Sequence, residues 1–396
     1  MTSDAPGNER QKWLYLAIVF LYWASLYFYV PTLPIYTESR VESLALVGVV
    51  LAMYGLWQAV LRLPLGIAAD WLGQRKPFIL SGLVFSAAGA LVMAHAGSGE
   101  GMIAGRAITG LAAASWVPLV VVFTGLFPPG EAVRAAAILT LVNSASRMFA
   151  TSLNGMLNAA GGYQLAFFVS AVVAVAAALV LLAVREPSRA IQAPTMGSIG
   201  RLVTRRDVLL PSLLSAVAQY ATWATVFGFI PILARQYGAS DILQGVLVSI
   251  NIGVVALGNV ITAKVSKRIG KRSLLYLSFT VLALGIFAVA AGRSLFFIVL
   301  GQITIGLSTG INYPMLMGMS IEHVDESQRA TAMGVYQSVY AIGMFTGPWL
   351  SGLLADALGI HSMFLMTGVV ILLLGLSGCY WLTQPARISS FKRSPG

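Results

Sequence analysis

Long apolar stretches alternate with short polar ones along the whole chain. About twenty consecutive apolar residues cross the hydrocarbon core of a bilayer as a helix, and stretches of that length occur twelve times. The pattern therefore predicts an all-α integral membrane protein. Its spans, numbered 1 to 12 in chain order, are predicted at 13–35, 44–69, 77–96, 101–126, 134–158, 163–184, 208–234, 241–263, 273–291, 294–317, 330–355 and 361–383.

The second six spans repeat sequence features of the first six. Gly105–Leu111 aligns with Gly301–Leu307, the Glu131/Arg134 pair with Glu326/Arg329, and Gly73–Arg75 with Gly270–Arg272, at offsets of 195 to 197 residues. Related halves with a substrate site between them are the plan of secondary transporters. We therefore predict two pseudo-symmetric six-helix bundles: an N-terminal one at 1–184 and a C-terminal one at 208–396, joined by a cytoplasmic linker at 185–207.

Composition excludes a soluble protein of this size. The chain is 58% hydrophobic and 10% charged, against roughly 25% charged in soluble domains. The net charge of +11 lies mostly in the gaps between spans, which argues against a nucleic-acid surface. With both termini in the cytoplasm, 19 Lys and Arg residues are cytoplasmic and three lie on the opposite side. This imbalance follows the positive-inside rule and predicts a multi-pass inner-membrane protein with cytoplasmic termini.

The residues of catalytic and metal sites are scarce in the spans. The one cysteine, Cys379, lies in span 12, and the three histidines lie near span ends. No metal-ligand spacing, catalytic constellation or nucleotide-binding loop occurs, so we expect no enzymatic activity, cofactor or metal. The stretch Trp13–Tyr36 is too long for a signal peptide and predicts a retained first span.

Apart from residues at the ends of spans, three arginines are the only charges inside spans. Arg147, in the middle of span 5, shares a helix face with Asn143 and Asn154. Either it lines a cavity and binds an anion bidentately, or it packs helices together; the first reading is favoured, because intramembrane charges are usually functional. Arg106 in span 4 either contacts substrate or responds to protonation, or braces span 4 against span 1. Arg62 in span 2 serves a gate or snorkels towards headgroups.

The uncharged polar and aromatic residues near mid-depth complete a candidate cavity. It is predicted to be cationic in the first half and neutral in the second, and its cargo to be a small anionic or zwitterionic molecule. The predicted cavity residues are Arg147, Arg106, Asn143, Asn154, Tyr22, Trp23, Tyr220, Trp223, Asn251, Asn312, Gln337 and Tyr340, with Gln219 beside them on span 7.

The loop after span 2, Gly66-Ile-Ala-Ala-Asp70-Trp-Leu-Gly73-Gln-Arg75-Lys76, resembles the loop signature of the major facilitator superfamily. Trp71 and Gln74 stand where that family usually has arginines, and Lys267 replaces the aspartate in the second copy. Span 4 carries Arg106 and Gly110, similar to the family's second motif. Span 11 carries a Gly-Pro packing motif (Gly343, Gly347, Pro348 and Gly352).

The resemblance implies a gate at this loop. In the family, the loop meets span 11 and closes the inner side in the outward-open state. Gly66 permits a close helix approach, whereas Asp70 either binds the start of span 11 or merely ends span 2. The predicted gating residues are Gly66, Asp70, Gly73, Arg75, Arg62, Gly347 and Pro348.

For function, the resemblance implies a secondary active transporter that works by alternating access. The leading hypothesis is an exporter of a drug or a carboxylate-bearing metabolite such as a metallophore, with proton coupling left open. An importer or uniporter of organic anions is the alternative, because span 5 lacks the Gly-Pro motif usual in drug-efflux proton antiporters. A channel or receptor is disfavoured because the chain offers no sensor domain or pore loop. We expect a monomer.

Overall fold

The computed structural model describes residues 6–128, 131–184, 186, 196–325 and 328–384. Within these ranges all twelve predicted spans are helical, which confirms the all-α membrane fold. The unbroken spans are the helices Leu44–Leu72, Lys76–His95, Asp241–Ile269, Lys271–Ala291, Leu295–Ile321, Arg329–Leu358 and Ile360–Thr383, which are spans 2, 3, 8, 9, 10, 11 and 12. Span 4 consists of Gly99–Ala114 and Trp116–Thr124.

Spans 1 and 7 are interrupted at corresponding places. Span 1 consists of the helices Pro6–Tyr27 and Leu33–Glu38 around a 3-10 turn, Val30–Thr32. Span 7 consists of Arg206–Ala224 and Ile230–Gln236 around a π-helical turn, Thr225–Phe229. Proline lacks the backbone donor that continues a helix, and both spans carry one next to the interruption. The two breaks are buried together between the halves.

Spans 5 and 6 form one helical stretch, Ala132–Leu182, which is broken at Gly161 and Gly162. Gly162 has a φ of 70°, a conformation that costs glycine little. By length and composition, ten helical stretches of the described chain can cross a membrane, and one of them holds both of these spans. Span 11, 30 residues long, is not among the ten. It packs against spans 2 and 7 on one side and exposes apolar side chains such as Ile342 and Leu353 on the other.

The halves meet along two seams. Spans 2 and 11 cross so closely that a Cβ added to Gly352 would lie 2.8 Å from Gly48 Cα. Spans 5 and 8 form the second seam, where the Thr151 and Ser249 hydroxyls hydrogen-bond at 2.7 Å. Small residues allow such approaches between membrane helices. The cavity described below lies between these seams.

Consecutive spans run in opposite directions. Lys76 at the start of span 3 donates to the carbonyl of Val184 after span 6 (2.6 Å), and Arg206 at the start of span 7 donates to the carbonyl of Trp381 in span 12 (3.0 Å). We call the end that carries these contacts the linker end and the opposite one the far end. The linker helix Met196–Thr204 belongs to the linker end.

The assignment of the linker end to the cytoplasm stays a prediction, as do the domain boundaries. Residues 185 and 187–195 of the linker and Glu326 of the repeat lie outside the described residues. The same holds for several of the basic residues counted above: Arg185, Arg189, Arg387, Lys392 and Arg393.

Candidate functional site

A cavity of about 170 Å³ lies between the two halves. Spans 1, 2, 4 and 5 line it from one side and spans 7, 8, 10 and 11 from the other. Among the described residues, the lining contains two arginines and no acidic residue. It consists of Trp23, Tyr27, Tyr54, Gln58, Arg62, Trp116, Thr140, Asn143, Ser144, Arg147, Gln219, Thr222, Trp223, Phe227, Asn251, Ile252, Val255, Asn259, Thr309, Tyr313, Tyr340 and Met344.

Arg147 lines this cavity and is held by aromatic rings. Its guanidinium carbon lies 4.3 Å from the ring centroid of Tyr27 and 5.9 Å from that of Trp23. Within the described part of the chain its guanidinium has no hydrogen-bond acceptor and no acidic partner. Cation–π contacts orient a guanidinium without using its N–H donors. The side chain is half-buried and its Nε is buried, so its terminal N–H groups remain available to a ligand.

Arg62 lines the same cavity, but both of its terminal nitrogens already donate hydrogen bonds, and its Nε–H is buried. It donates to the hydroxyl of Tyr340 and to the side-chain oxygen of Gln58. Tyr340 belongs to span 11, so this contact links the two halves across the cavity. Arg62 is only 3% exposed. The two cavity arginines therefore differ: one ties spans 2 and 11 together and the other is free.

Three other predicted cavity residues of the first half do not line the cavity. The Tyr22 hydroxyl donates to the carbonyl of Ala112 (2.9 Å) and joins span 1 to span 4. Asn154 donates to the carbonyl of Phe28 (2.7 Å). Arg106 is 2% exposed, and its guanidinium stacks 4.1 Å from the centroid of Tyr54. The structure thus places these three outside the lining, where they join helices within the first half.

In the second half, Trp223, Asn251 and Tyr340 line the cavity as the sequence predicted, together with Gln219. The other three predicted residues lie outside it. Tyr220 backs on to span 11, where a Cβ on Gly347 would lie 2.6 Å from its carbonyl oxygen. The Asn312 amide lies 3.4 Å from the Ser308 hydroxyl within span 10. Gln337 of span 11 is not part of the lining.

Several lining residues escaped prediction although the sequence carried a signal for them. Tyr54 and Gln58 precede Arg62 by two turns and one turn on the same helix face, and Tyr27 follows Trp23 by one turn. Helical neighbours of a lining residue at a spacing of four are expected to share its face. Asn259 likewise follows Asn251 by two turns, whereas Trp116 and Tyr313 have no such neighbour among the predicted residues.

At the far end, aromatic rings from both halves close the cavity. Tyr54 stacks on Trp223 with centroids 5.2 Å apart, and Tyr27 meets Phe227 edge-on at 6.2 Å. Behind the rings, residues 22–34 and 221–234 are buried without interruption.

A polar network crosses the same end. Asn158 donates to the Thr32 hydroxyl and to the Asp241 carboxylate, both at 3.0 Å. Asp241 belongs to span 8 and also pairs with Arg235. A second cross-half bond joins the backbone N–H of Leu44 to the Asp356 carboxylate at 3.0 Å. These contacts add polar links between the halves to the aromatic seal.

Towards the linker end the cavity is open. Asn259 lines both this cavity and a second one of about 490 Å³, which lies among spans 8 to 11. Lys271 and Glu322 form an ion pair at 2.5 Å on the wall of the second cavity. Thr140, on the span 5 side of the first cavity, is exposed. The cavity is therefore less enclosed towards the linker end than at the far end.

The predicted gating loop faces span 11. Asp70 pairs with Arg75, and with Gly66 both line a void of about 50 Å³ against Thr331 and Gly334 of span 11. The loop therefore lies beside span 11, and its role as a gate stays a prediction.

The three other predicted gating residues, which are two glycines and a proline, end a helix or lie at close contacts between helices. Gly73 ends span 2 with a φ of 64°. Gly347 backs on to span 7, and the carbonyl of Pro348 lies against Gly48 of span 2.

Comparisons with known proteins agree with this architecture. The family model of the Major Facilitator Superfamily matches residues 15–218 and 212–395. The inner membrane transport protein YajR of Escherichia coli (strain K12) is 37% identical over 106 residues, which are 26% of this chain and 23% of that protein. The multidrug resistance protein MdtH of Aeromonas salmonicida (strain A449) is 24% identical over 357 residues, 84% of this chain and 88% of that one.

Among solved structures, a bacterial homologue of the human lysosomal transporter Spinster, in an inward-facing and unoccupied conformation, has a similar fold. Its TM-score is 0.80 at 15% sequence identity, over 96% of this chain and 97% of that one. At that identity the likeness concerns the fold.

Proposed function

The chain belongs to the major facilitator superfamily and is a transporter of that superfamily; from this premise we propose that it carries a small organic anion, which binds in the cavity between its halves. Alternating access then exposes the cavity to either side of the membrane in turn. Arg147 is the anion-binding residue in this proposal, and Asp70 and Arg75 belong to the gate at the linker end.

The free guanidinium of Arg147 carries the proposal. A half-buried charge without a partner is unfavourable, and the described lining offers it no carboxylate. A ligand that brings an anionic group supplies the missing acceptor, and a planar guanidinium binds such a group with two parallel hydrogen bonds. The tie of Arg62 to Tyr340 and Gln58 leaves Arg147 as the better anion receptor of the two.

We further propose export as the direction. The cavity reaches the linker end, which the distribution of basic residues predicts to be cytoplasmic, so cargo loads from the cytoplasm. The similarity to MdtH, a multidrug resistance protein, supports the same direction. Since the described lining has no acid or histidine, a coupling proton would be carried outside the cavity, by Glu38, Asp241, Asp356 or His361, or by the cargo itself.

Flux into inside-out vesicles tests the proposal. Purified protein is reconstituted, and uptake of radiolabelled benzenesulfonate is followed with and without an acidic lumen. Benzenesulfonate is suitable because it stays charged and therefore crosses a bare bilayer poorly. We expect saturable uptake that the acidic lumen accelerates and that Arg147→Gln abolishes.

Three results would count against parts of the proposal. Uptake that ignores the proton gradient would make the protein a uniporter. Uptake that is unchanged in Arg147→Gln would mean that Arg147 is not the anion-binding residue. Uptake no faster than in protein-free vesicles would contradict organic-anion transport.

A further inference from the structure

The cavity has the size of one aromatic ring. Its volume is about 170 Å³, and a protein cavity of roughly 150 Å³ is enough to hold benzene. The cavity therefore has room for about one six-membered ring with its substituent. A molecule with two fused rings would extend beyond this space towards the linker end.

The lining that such a ring would meet is itself aromatic. Trp23 packs edge-on against Trp116 at 5.1 Å, and Trp223 contacts Tyr54 at 5.2 Å and Phe227 at 4.9 Å. Tryptophan and tyrosine faces attract other rings through offset stacking and edge contacts. Aromatic side chains occur on both halves, so a bound ring would contact both at once.

The charge lies beside these rings. Arg147 stands over Tyr27 at 4.3 Å, and Tyr27 in turn meets Phe227. The other walls are polar without being charged: Asn143, Thr222, Asn251 and Thr309 line them. A ligand that matches this surface has a flat apolar body and one anionic group at its edge.

We propose that the cargo is an anion with a single aromatic ring, and that Trp223 is a specificity-determining residue for the ring. This inference rests on the proposed function, because it adds the ring to the anionic group assigned to Arg147. Trp223 is chosen because it is 6% exposed and connects Tyr54 of the first half with Phe227 of the second. Tyr54 already stacks on one face of Trp223, so a bound ring that packs against the remaining surface of Trp223 contacts the aromatic residues that close the far end.

Four probes separate ring, charge and size. Benzoate is the smallest member of the proposed class, cyclohexanecarboxylate keeps the charge without the aromatic ring, benzamide keeps the ring without the charge, and 2-naphthoate adds a second ring. Binding to the full chain in lipid nanodiscs is measured by calorimetry. We expect benzoate to bind roughly two- to tenfold more tightly than cyclohexanecarboxylate. We expect it to bind about tenfold or more tightly than benzamide. Naphthoate should bind more weakly than benzoate.

Two variants assign these preferences to residues. Trp223→Leu should bring the ratio of benzoate to cyclohexanecarboxylate affinity close to one, and it should keep the preference for benzoate over benzamide. Trp223→Phe should restore the preference for benzoate over cyclohexanecarboxylate. The matched control is Trp349→Leu, because Trp349 is 37% exposed, stacks on Phe345 and lies outside the lining. Both ratios should be unchanged in that control.

The outcomes distinguish this inference from the proposed function. Equal affinities for benzoate and cyclohexanecarboxylate in the wild type would overturn the aromatic inference and leave the anion proposal intact. Equal affinities for benzoate and benzamide would overturn the proposed function. Absence of benzoate binding, or an unchanged ring preference in a folded Trp223→Leu protein, would also overturn the inference.

Discussion

Replacing Arg147 is the most informative perturbation of the cavity. Arg147→Gln removes the charge and the planar fork but keeps a side chain of similar reach, and Arg147→Lys keeps the charge alone. Since the Arg147 guanidinium has no acceptor among the described residues, neither change breaks a hydrogen bond of the folded protein. The cation–π contact with Tyr27, 4.3 Å away, would be lost in the glutamine variant at a cost of about 0.5–2 kcal/mol in stability.

The effect on an anionic ligand should be larger than this structural cost. Each charge-assisted hydrogen bond contributes roughly 1.5–3 kcal/mol, and about 1.4 kcal/mol corresponds to a tenfold change in affinity. Loss of the contact should therefore weaken benzoate binding on the order of tenfold or more. We expect the order of affinity to be wild type, then Arg147→Lys, then Arg147→Gln.

The assay compares benzoate with the neutral benzamide on each variant in nanodiscs, and thermal unfolding reports whether the variant is folded. Arg293→Gln is the matched control, because Arg293 is an exposed arginine in the loop before span 10. Benzamide affinity should be nearly unchanged in all variants. If Arg147→Gln weakens benzoate and benzamide equally, Arg147 is a packing residue and the anionic-cargo proposal loses its main support.

Four further predictions concern the gates, the seam and the topology. Asp70→Asn should lower transport several-fold at nearly unchanged ligand affinity, because the loop meets span 11 and not the cavity; wild-type flux would mean that Asp70 only ends its helix. Asp241→Asn should weaken the polar network at the far end. A cysteine introduced by Asn143→Cys in a Cys379→Ser background should then react faster with an impermeant thiol reagent added at that end, and an unchanged rate would refute this. Gly352→Val should reduce the yield of folded protein, because a Cβ there would lie 2.8 Å from the Gly48 backbone, whereas Gly97→Val, with open space around it, should not; equal yields would contradict the close seam. Tags at either terminus or within 190–200 should stay inaccessible in intact cells, and surface labelling would refute the predicted orientation.

The spans and their number could be predicted from the sequence because hydropathy is a local property. Lipid solvates any stretch of about twenty apolar residues as a helix, whatever the rest of the chain does. The repeat from Gly105 to Gly301 likewise indicated two related halves without any coordinates. Span 11, which is not among the ten helical stretches that satisfy length and composition in the structure, was predicted as well.

The residues that share one face of a helix could also be predicted, but the extent of the cavity along that face could not. Asn143, Arg147 and Asn154 share one face of span 5 by their spacing. Only the packing of the two halves decides how far along this face the cavity extends. It includes Asn143 and Arg147, and it ends before Asn154, where the halves close.

The difference between the three intramembrane arginines was decided by tertiary structure alone. In the sequence, each is a single charge in an apolar helix, and no partner can be identified for any of them. In the fold, the hydroxyl of Tyr340, 278 residues away in the chain, accepts a hydrogen bond from Arg62. The ring of Tyr54 covers Arg106, and the ring of Tyr27 contacts Arg147 at the wall of the cavity. Such partners come from distant segments, and no local pattern encodes their registration. The sequence by itself determined the helices, the halves and the scarcity of charge, whereas the packing of one half on the other decided which charge is free to bind cargo.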